Sequence, residues 1–119
     1  LAEESYSRMH VQHYAAREKQ ILQVAQHPFI VCLHACMRTD HGDLALVMEY
    51  CTRGSLSTRI ATAVDPEAHT CIPEGPAQQW TSQIVLALRH LHQLRITHRD
   101  LKCDNVLLDG DDVAKLGDF

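Results

Sequence analysis

The sequence lacks a long hydrophobic run, an excess of basic charge and a secretion signal. No apolar stretch approaches the ~18 residues that a membrane-spanning helix requires, so no transmembrane segment is predicted. The formal net charge of −4 argues against nonspecific nucleic-acid binding and against a basic membrane-surface patch. The amino end has no signal-peptide pattern. We therefore expect neither a nucleic-acid partner nor a membrane segment.

The cysteine pattern does not predict a disulfide framework. Their number, 5, is odd, and no CxxC pair occurs. This usage is typical of reduced thiols, so we expect an intracellular, cytoplasmic protein. Cys32, His34 and Cys36 alternate along a predicted strand and could share a face as metal ligands. Zinc would need a fourth ligand from elsewhere, which favours ordinary strand residues.

A helix is predicted over residues 7–26, because apolar and small residues recur there at helical spacing. Glu18 lies near the middle of this stripe. A carboxylate that faces a core is costly unless a cation meets it. Either the helix is rotated so that Glu18 stays in water, or Glu18 has a basic partner across a packed interface. The stripe consists of Val11, Tyr14, Ala15, Ile21, Leu22 and Ala25.

The rest of the chain mixes hairpins with helices, which predicts an α+β fold. A helix near the carboxyl-terminal third is apolar almost all round its middle, so we expect it to be buried on several sides. In chain order the predicted elements are strands over 29–37 and 44–50, a short helix over 56–63, a surface loop over 64–76, the buried helix over 76–94, and strands over 106–108 and 113–116.

The last part of the chain contains two short motifs, "HRDLKCDN" (98–105) and "GDF" (117–119). They closely resemble the catalytic loop and the metal-binding signature of eukaryotic protein kinases. In that signature the catalytic aspartate precedes the asparagine by five positions, as Asp100 precedes Asn105 here. A predicted hairpin joins the two motifs, as in the family. A polar loop beside an unrelated hairpin does not explain several matches in the right order.

The resemblance implies a role for each polar residue of these motifs. Asp100 is expected to be the catalytic base that accepts the proton of the substrate hydroxyl. Lys102 is expected to contact the transferred phosphate, which favours Ser and Thr over Tyr as acceptors. Asn105 and Asp118 are oxygen ligands suited to Mg²⁺. The expected cofactors are therefore ATP and Mg²⁺, and the expected partners are proteins with Ser or Thr acceptors.

The stretch "LVMEYCTRGSL" (46–56) resembles the segment that joins the two kinase lobes and binds adenine. Met48 stands at the gatekeeper position. The backbone groups of Glu49 and Cys51 are expected to bind the edge of the adenine ring. Leu107 matches a residue that packs around the adenine.

Other positions match the family at a distance from the two motifs. Glu18 resembles the glutamate of the regulatory helix, which pairs with a strand lysine and so meets the need for a cation noted above. Arg99 resembles the arginine that binds a phosphorylated activation loop. Ser55 stands where many kinases carry an acidic residue. Four positions match the stack of side chains that links the two lobes of active kinases, or else are ordinary core residues. They are Leu22, Leu33, His98 and Phe119.

The fold that the resemblance implies is a partial two-lobe protein-kinase-like fold. Residues 1–48 would supply the regulatory helix and β-hairpin of the small lobe, 49–55 the hinge, and 56–119 the first helices and the catalytic-loop hairpin of the large lobe. Because the chain starts at a leucine and stops at Phe119, before the glycine that completes the DFG motif of the family, we expect an internal fragment of a longer chain, here termed the parent protein. Alone, the fragment is expected to be inactive and poorly folded.

Two further interpretations concern the kind of kinase. Three features resemble those of the NIMA-related serine/threonine kinases. They are the hinge residues "MEYC", Trp80 early in the buried helix, and "KLGDF". The alternative to an active enzyme is a pseudokinase that serves as a scaffold or allosteric partner. Intact metal ligands have little reason to persist in a pure scaffold, which favours the active kinase. An ATP-independent interaction module would leave the set of Asp100, Asn105 and Asp118 unexplained.

Overall fold

The computed structural model of the chain describes residues 2–63 and 72–119, with side chains from residue 13 onward. Its helices are α1 (Ala2–Val24), α2 (Leu56–Ala63) and α3 (Glu74–Gln93). Its strands are β1 (Leu33–Arg38), β2 (Leu44–Met48), β3 (Val106–Leu108) and β4 (Ala114–Leu116). The α+β prediction is confirmed. Within the described ranges, no helix has the length and apolar character needed to cross a membrane.

Helix α1 begins earlier and ends slightly earlier than predicted, since the residue before Pro28 avoids the helical region. Its last turns bury Ile21 and Leu22, and Ala25 follows them into the core. Tyr14, which was placed on the same stripe, is 63% exposed. Among the stripe residues whose side chains are described, the buried ones therefore lie toward the carboxyl end of the helix; the side chain of Val11 lies outside the described residues.

The first hairpin is an antiparallel pair of β1 and β2 with an irregularity between Leu33 and Ala35. Gly42 has φ of +82°, which allows the tight turn between the strands. The predicted start of the first strand at residue 29 is wrong. Residues 29–31 instead bond to the outer edge of β4: the Val31 N–H donates to the Leu116 carbonyl at 3.0 Å. This pairing is nonlocal, so strand propensity alone did not show it.

Helix α2 begins after Ser55, whose Oγ accepts the N–H of Thr58 at 3.1 Å, an N-terminal cap. Helix α3 accommodates Pro76 in its first turn. The prediction that α3 is buried on several sides is wrong for the described residues, because Val85 is 56% exposed and Leu86 is 43% exposed. Most of the predicted loop over 64–76 (residues 64–71) lies outside the described residues.

One core joins the carboxyl end of α1, the inner face of α3 and the second hairpin. Its largest fully buried side chains belong to Ile30, Leu91, Leu108, Leu116 and Val106. The second hairpin pairs Val106 with Leu116 and Leu108 with Ala114. Its buried strands hold the residues before β3 and after β4 at one end. No disulfide joins the described cysteines, which are Cys32, Cys36, Cys51 and Cys103.

Candidate active site

The β3–β4 hairpin brings together two residues that the sequence separates by thirteen positions. Asn105 lies directly before β3, and Asp118 lies two positions after β4. The Gly117 N–H donates to the Asn105 carbonyl at 2.9 Å, which closes the open end of the hairpin. Both candidate metal ligands therefore lie at the same end of one small sheet.

The side chain of Asn105 links the same point to Asp100. Its Nδ2 donates to the Asp100 carbonyl at 2.9 Å and to Asp100 Oδ2 at 3.0 Å. Both partners are acceptors, so the amide nitrogen must face Asp100. The Oδ1 atom of Asn105 consequently points away from Asp100 and is available to a cation. Asn105 is only 7% exposed, which fixes this orientation.

Asp100 also meets a cation. Its Oδ2 lies 2.8 Å from Lys102 Nζ, and both side chains are substantially exposed. The Lys102 ammonium, followed by the amide of Asn105, lowers the pKa of Asp100 from its ordinary value. Asp100 raises the pKa of Lys102, with smaller contributions from Asp104 and Asp118. Asp100 is therefore a carboxylate at neutral pH, and Lys102 lies within electrostatic reach of Asp118.

His98 ties the loop before Asp100 to the segment that carries Asp118. It is 6% exposed, and its Nε2 lies 2.9 Å from the Gly117 carbonyl. Its Nδ1 accepts the Asp100 N–H at 3.3 Å. These two bonds require a neutral ring protonated at Nε2, because a carbonyl accepts and an N–H donates. The ring also contacts Phe119, with centroids 5.0 Å apart.

Two non-glycine residues beside these groups have left-handed backbone. Arg99 has φ of +73° and Asp118 has φ of +61°. Each such conformation costs roughly 1 kcal/mol or more, and it persists where the surroundings hold it. The bonds from His98 and Gly117 provide that support. The conformations turn the chain sharply on either side of the site and orient Asp100 and Asp118.

Glu18 approaches this site from α1. It is half-buried, and its pKa is raised by burial first and by the nearby Asp118 second, while a hydrogen bond from the Phe119 N–H lowers it. None of the ion pairs between described residues involves Glu18. Glu18 is thus neither fully solvated nor paired with a cation among the described residues, and its basic partner stays a prediction.

Among the backbone groups of the connector (residues 49–55) without a backbone partner in the described chain are an acceptor and a donor two residues apart. The Glu49 N–H donates to the Cys32 carbonyl at 2.8 Å, and the Cys51 carbonyl accepts the Gly54 N–H at 3.4 Å. No hydrogen bond between described residues uses the Glu49 carbonyl or the Cys51 N–H. Met48 is 40% exposed beside them, and Leu107 is half-buried. A flat heterocycle with an adjacent donor and acceptor would fit this edge.

The side chain of Glu49 points away from that edge, toward β4. Its Oε1 lies 2.6 Å from Lys115 Nζ, and the two side chains are only 22% and 14% exposed. Its Oε2 accepts the Cys32 N–H at 3.2 Å. Sequence reasoning did not identify Lys115, because nothing in its local spacing shows that β4 passes behind the connector. Glu49 thus joins the first hairpin, the connector and the second hairpin.

Removal of one partner of this ion pair should destabilise the protein. We expect Lys115→Met in the parent protein to lower the free energy of unfolding by about 1–2 kcal/mol, because Glu49 is left largely buried without its cation. Urea denaturation of Lys115→Met, Glu49→Gln and the double variant would measure the coupling. The control is Arg53→Met, since Arg53 pairs with Asp112 at 3.2 Å with 51% exposure. Additive single effects would contradict the prediction.

Arg99 lies on a shallow cavity between α1 and the segment before the catalytic-loop motif. Two other arginines, Arg17 and Arg95, line the same cavity. Three cations around one concave surface favour an anionic ligand.

The zinc-site alternative for Cys32, His34 and Cys36 is wrong. Among the described residues, no group of three or more His, Cys, Asp and Glu side chains could hold a metal ion.

The chain resembles known proteins along nearly its whole length. Residues 2–119 match the family model described as protein kinase domain. Human ribosomal protein S6 kinase alpha-3 is 39% identical over 102 residues, which cover 86% of this chain and 13% of that protein. Human testis-specific serine/threonine-protein kinase 1 is 37% identical over 106 residues (89% of this chain, 27% of that protein). Serine/threonine-protein kinase KIPK1 of Arabidopsis thaliana is 38% identical over 105 residues (88% and 11%).

The chain therefore spans about a quarter or less of the length of these relatives. None of the three names refers to a NIMA-related kinase, so that resemblance stays a prediction.

Proposed function

The chain belongs to the protein kinase domain family, and from this premise we propose that it is part of a serine/threonine protein kinase. The parent protein transfers the γ-phosphate of Mg-ATP to Ser and Thr hydroxyls of protein substrates. The observation that carries the proposal is the assembly of Asp100, Asn105 and Asp118 at one end of the second hairpin. Two of the relatives named above are serine/threonine-protein kinases, which supports the choice of acceptor.

Asp100 is the base in this proposal. Its lowered pKa keeps it ionised at neutral pH, so it can accept a hydrogen bond from a substrate hydroxyl and orient that oxygen. A strongly basic carboxylate is not required, because most of the catalysis comes from positioning and from neutralising charge. Lys102 lies 2.8 Å from Asp100 and would place its positive charge beside the transferred phosphoryl group.

Asn105 and Asp118 would hold Mg²⁺. The Oδ1 of Asn105, whose Nδ2 is the atom bonded to Asp100, and the exposed carboxylate of Asp118 are a small set of oxygen donors, as Mg²⁺ prefers when phosphate oxygens and water complete its shell. The bound ion would neutralise charge on the phosphates. Glu18, which receives the Phe119 N–H, would hold the Asp118 segment in place once a lysine of the parent protein meets it.

The connector is the proposed hinge between a small lobe (1–48) and a large lobe (56–119). The unpaired Glu49 carbonyl and Cys51 N–H would bind the donor and acceptor on the adenine edge. Met48 would close the back of that site, and Leu107 on β3 would pack beneath the ring. Within this proposal the cavity of Arg17, Arg95 and Arg99 faces a phosphorylated segment of the parent protein.

A phosphorylation assay on the parent protein tests the proposal. Peptides that differ only in Ser, Thr or Tyr at the acceptor position are incubated with Mg-ATP, and transfer is measured for each. We expect transfer to Ser and Thr, little to Tyr, and none when Mg²⁺ is chelated. The competing pseudokinase interpretation predicts no transfer to any peptide. Transfer to Tyr alone would overturn the assignment of the acceptor.

A further inference from the structure

The outer edge of β4 is held at Leu116 by the extended residues 29–31 and at Ala114 by a helix side chain. Ala114, at the start of β4, directs its N–H away from β3, and Gln83 Oε1 accepts it at 2.8 Å. Ala114 is 1% exposed and Gln83 is 9% exposed, so this bond is shielded from water. A buried N–H without a partner is costly, and here the partner is supplied by α3.

Gln83 acts together with Trp80, one turn earlier on the same buried face of α3. Trp80 donates its Nε1–H to the Asp112 carbonyl at 3.0 Å. The two helix residues are separated by a rise of about 4.5 Å, and their strand partners by roughly 6.7 Å, a difference that the long side chains span. We term this pair of contacts the α3 clamp.

The α3 clamp specifies the register of β4 at its turn end, while the bonds of Leu116 to Phe29 and Val31 act at the other end. Trp80 can only donate, and Gln83 accepts, so the clamp requires a carbonyl at residue 112 and an N–H at residue 114. A slip of β4 by one residue would turn the outward groups toward β3 and break both contacts. Asp118 lies four positions after Ala114, so the register decides where its carboxylate lies relative to Asn105.

We propose that Gln83 and Trp80 are positioning residues for the metal site, because the α3 clamp fixes the register of β4 at the turn end, as the bonds of Leu116 to residues 29–31 do at the other end, and thereby helps to place Asp118 beside Asn105. The inference rests on the proposed function, in which Asn105 and Asp118 hold Mg²⁺. It extends that function to two side chains at the other end of the hairpin, which contact neither nucleotide nor substrate.

The decisive variant is Gln83→Met in the parent protein, since methionine has a similar size and no comparable acceptor. Its matched control is Gln78→Met, the same change at an exposed position of α3 whose amide contacts only Glu74 at 2.7 Å. Titration calorimetry measures ADP affinity with and without Mg²⁺. We expect Gln83→Met to reduce the gain in affinity from Mg²⁺ by about tenfold and the Mg²⁺-free affinity by less than about twofold.

Hydrogen exchange at the Gly117 amide provides a readout that is independent of nucleotide. We expect faster exchange in Gln83→Met than in Gln78→Met, because the Gly117 N–H bonds to Asn105 only in the correct register. Unchanged exchange, or equal loss of ADP affinity with and without Mg²⁺, would overturn the inference. If Gln83→Met does not fold, Trp80→Phe, which removes one donor, is judged by the same two criteria.

Failure of the proposed function would look different from failure of this inference. A parent protein that shows no Mg²⁺-dependent ADP binding before any substitution would refute the metal site itself. The α3 clamp would then be refuted as a device for positioning metal ligands, whatever the exchange data show. Normal Mg²⁺ dependence in both the parent protein and Gln83→Met would refute the α3 clamp alone.

Discussion

Asp100→Asn is expected to lower phosphoryl transfer by the parent protein by about 10²- to 10⁴-fold, the usual contribution of a positioned general base. The carboxamide is nearly isosteric, but its oxygen is far less basic and its nitrogen cannot accept a proton. Asparagine can still accept the hydrogen bond from Asn105 Nδ2. The ion pair with Lys102 is lost, but this should cost little stability because both side chains are substantially exposed. The local structure should therefore survive while the chemistry fails.

Turnover at saturating Mg-ATP and ADP affinity together measure this effect. Affinity should change little, because the proposed adenine contacts come from the backbone of the connector. Asp104→Asn is the matched control, since Asp104 is an exposed carboxylate of the same loop that only adds to the field around Lys102. Unchanged turnover in Asp100→Asn, or an equal loss in Asp104→Asn, would refute Asp100 as the base.

Asp118→Asn is expected to abolish most of the effect of Mg²⁺ on nucleotide binding, with a loss of about 100-fold in Mg²⁺-dependent ADP affinity. Asparagine is a suitable replacement, because it tolerates the left-handed backbone at φ of +61°, which alanine does not. The change therefore removes the charge without a backbone strain of its own.

Calorimetric titration of ADP over a range of Mg²⁺ concentrations would check this prediction. The control is Asp111→Asn in the turn of the same hairpin, where the residue is exposed. Removal of the Asp118 charge should also bring the pKa of Glu18 down toward its ordinary value, although burial will keep it raised. If ADP affinity retained its full dependence on Mg²⁺, Asp118 would not be a metal ligand.

The elements with local signals were predicted well, and those that depend on distant partners were not. The short helix over 56–63 and strand β3 agree with the structure because their caps, turns and patterns lie within a few residues. The strand expected from residue 29 starts at Leu33, since residues 29–31 pair with β4 instead. Val85 and Leu86 were expected in a core, but the described residues leave them exposed.

The candidate site divides in the same way. The sequence predicted Asp100, Lys102, Asn105 and Asp118 from motif spacing, and the structure brings their loop and hairpin end together. Helical periodicity left two alternatives for Glu18, solvent or a cation, and the resemblance to protein kinases favoured the cation. The sequence did not predict Lys115, Gln83 or Trp80 as supports, because a lysine in a strand and a glutamine on a buried helix face have no local signature.

By itself, the sequence determined the family, because its motifs occur in the order typical of protein kinases. From that resemblance it predicts an aspartate base and oxygen ligands for phosphoryl transfer. Tertiary structure alone decided what holds these groups in register. The Glu49–Lys115 pair and the bond from Ala114 to Gln83 join residues separated by 66 and 31 positions. Such contacts depend on how buried backbone groups and charges find partners across the whole fold, and local spacing does not encode that choice.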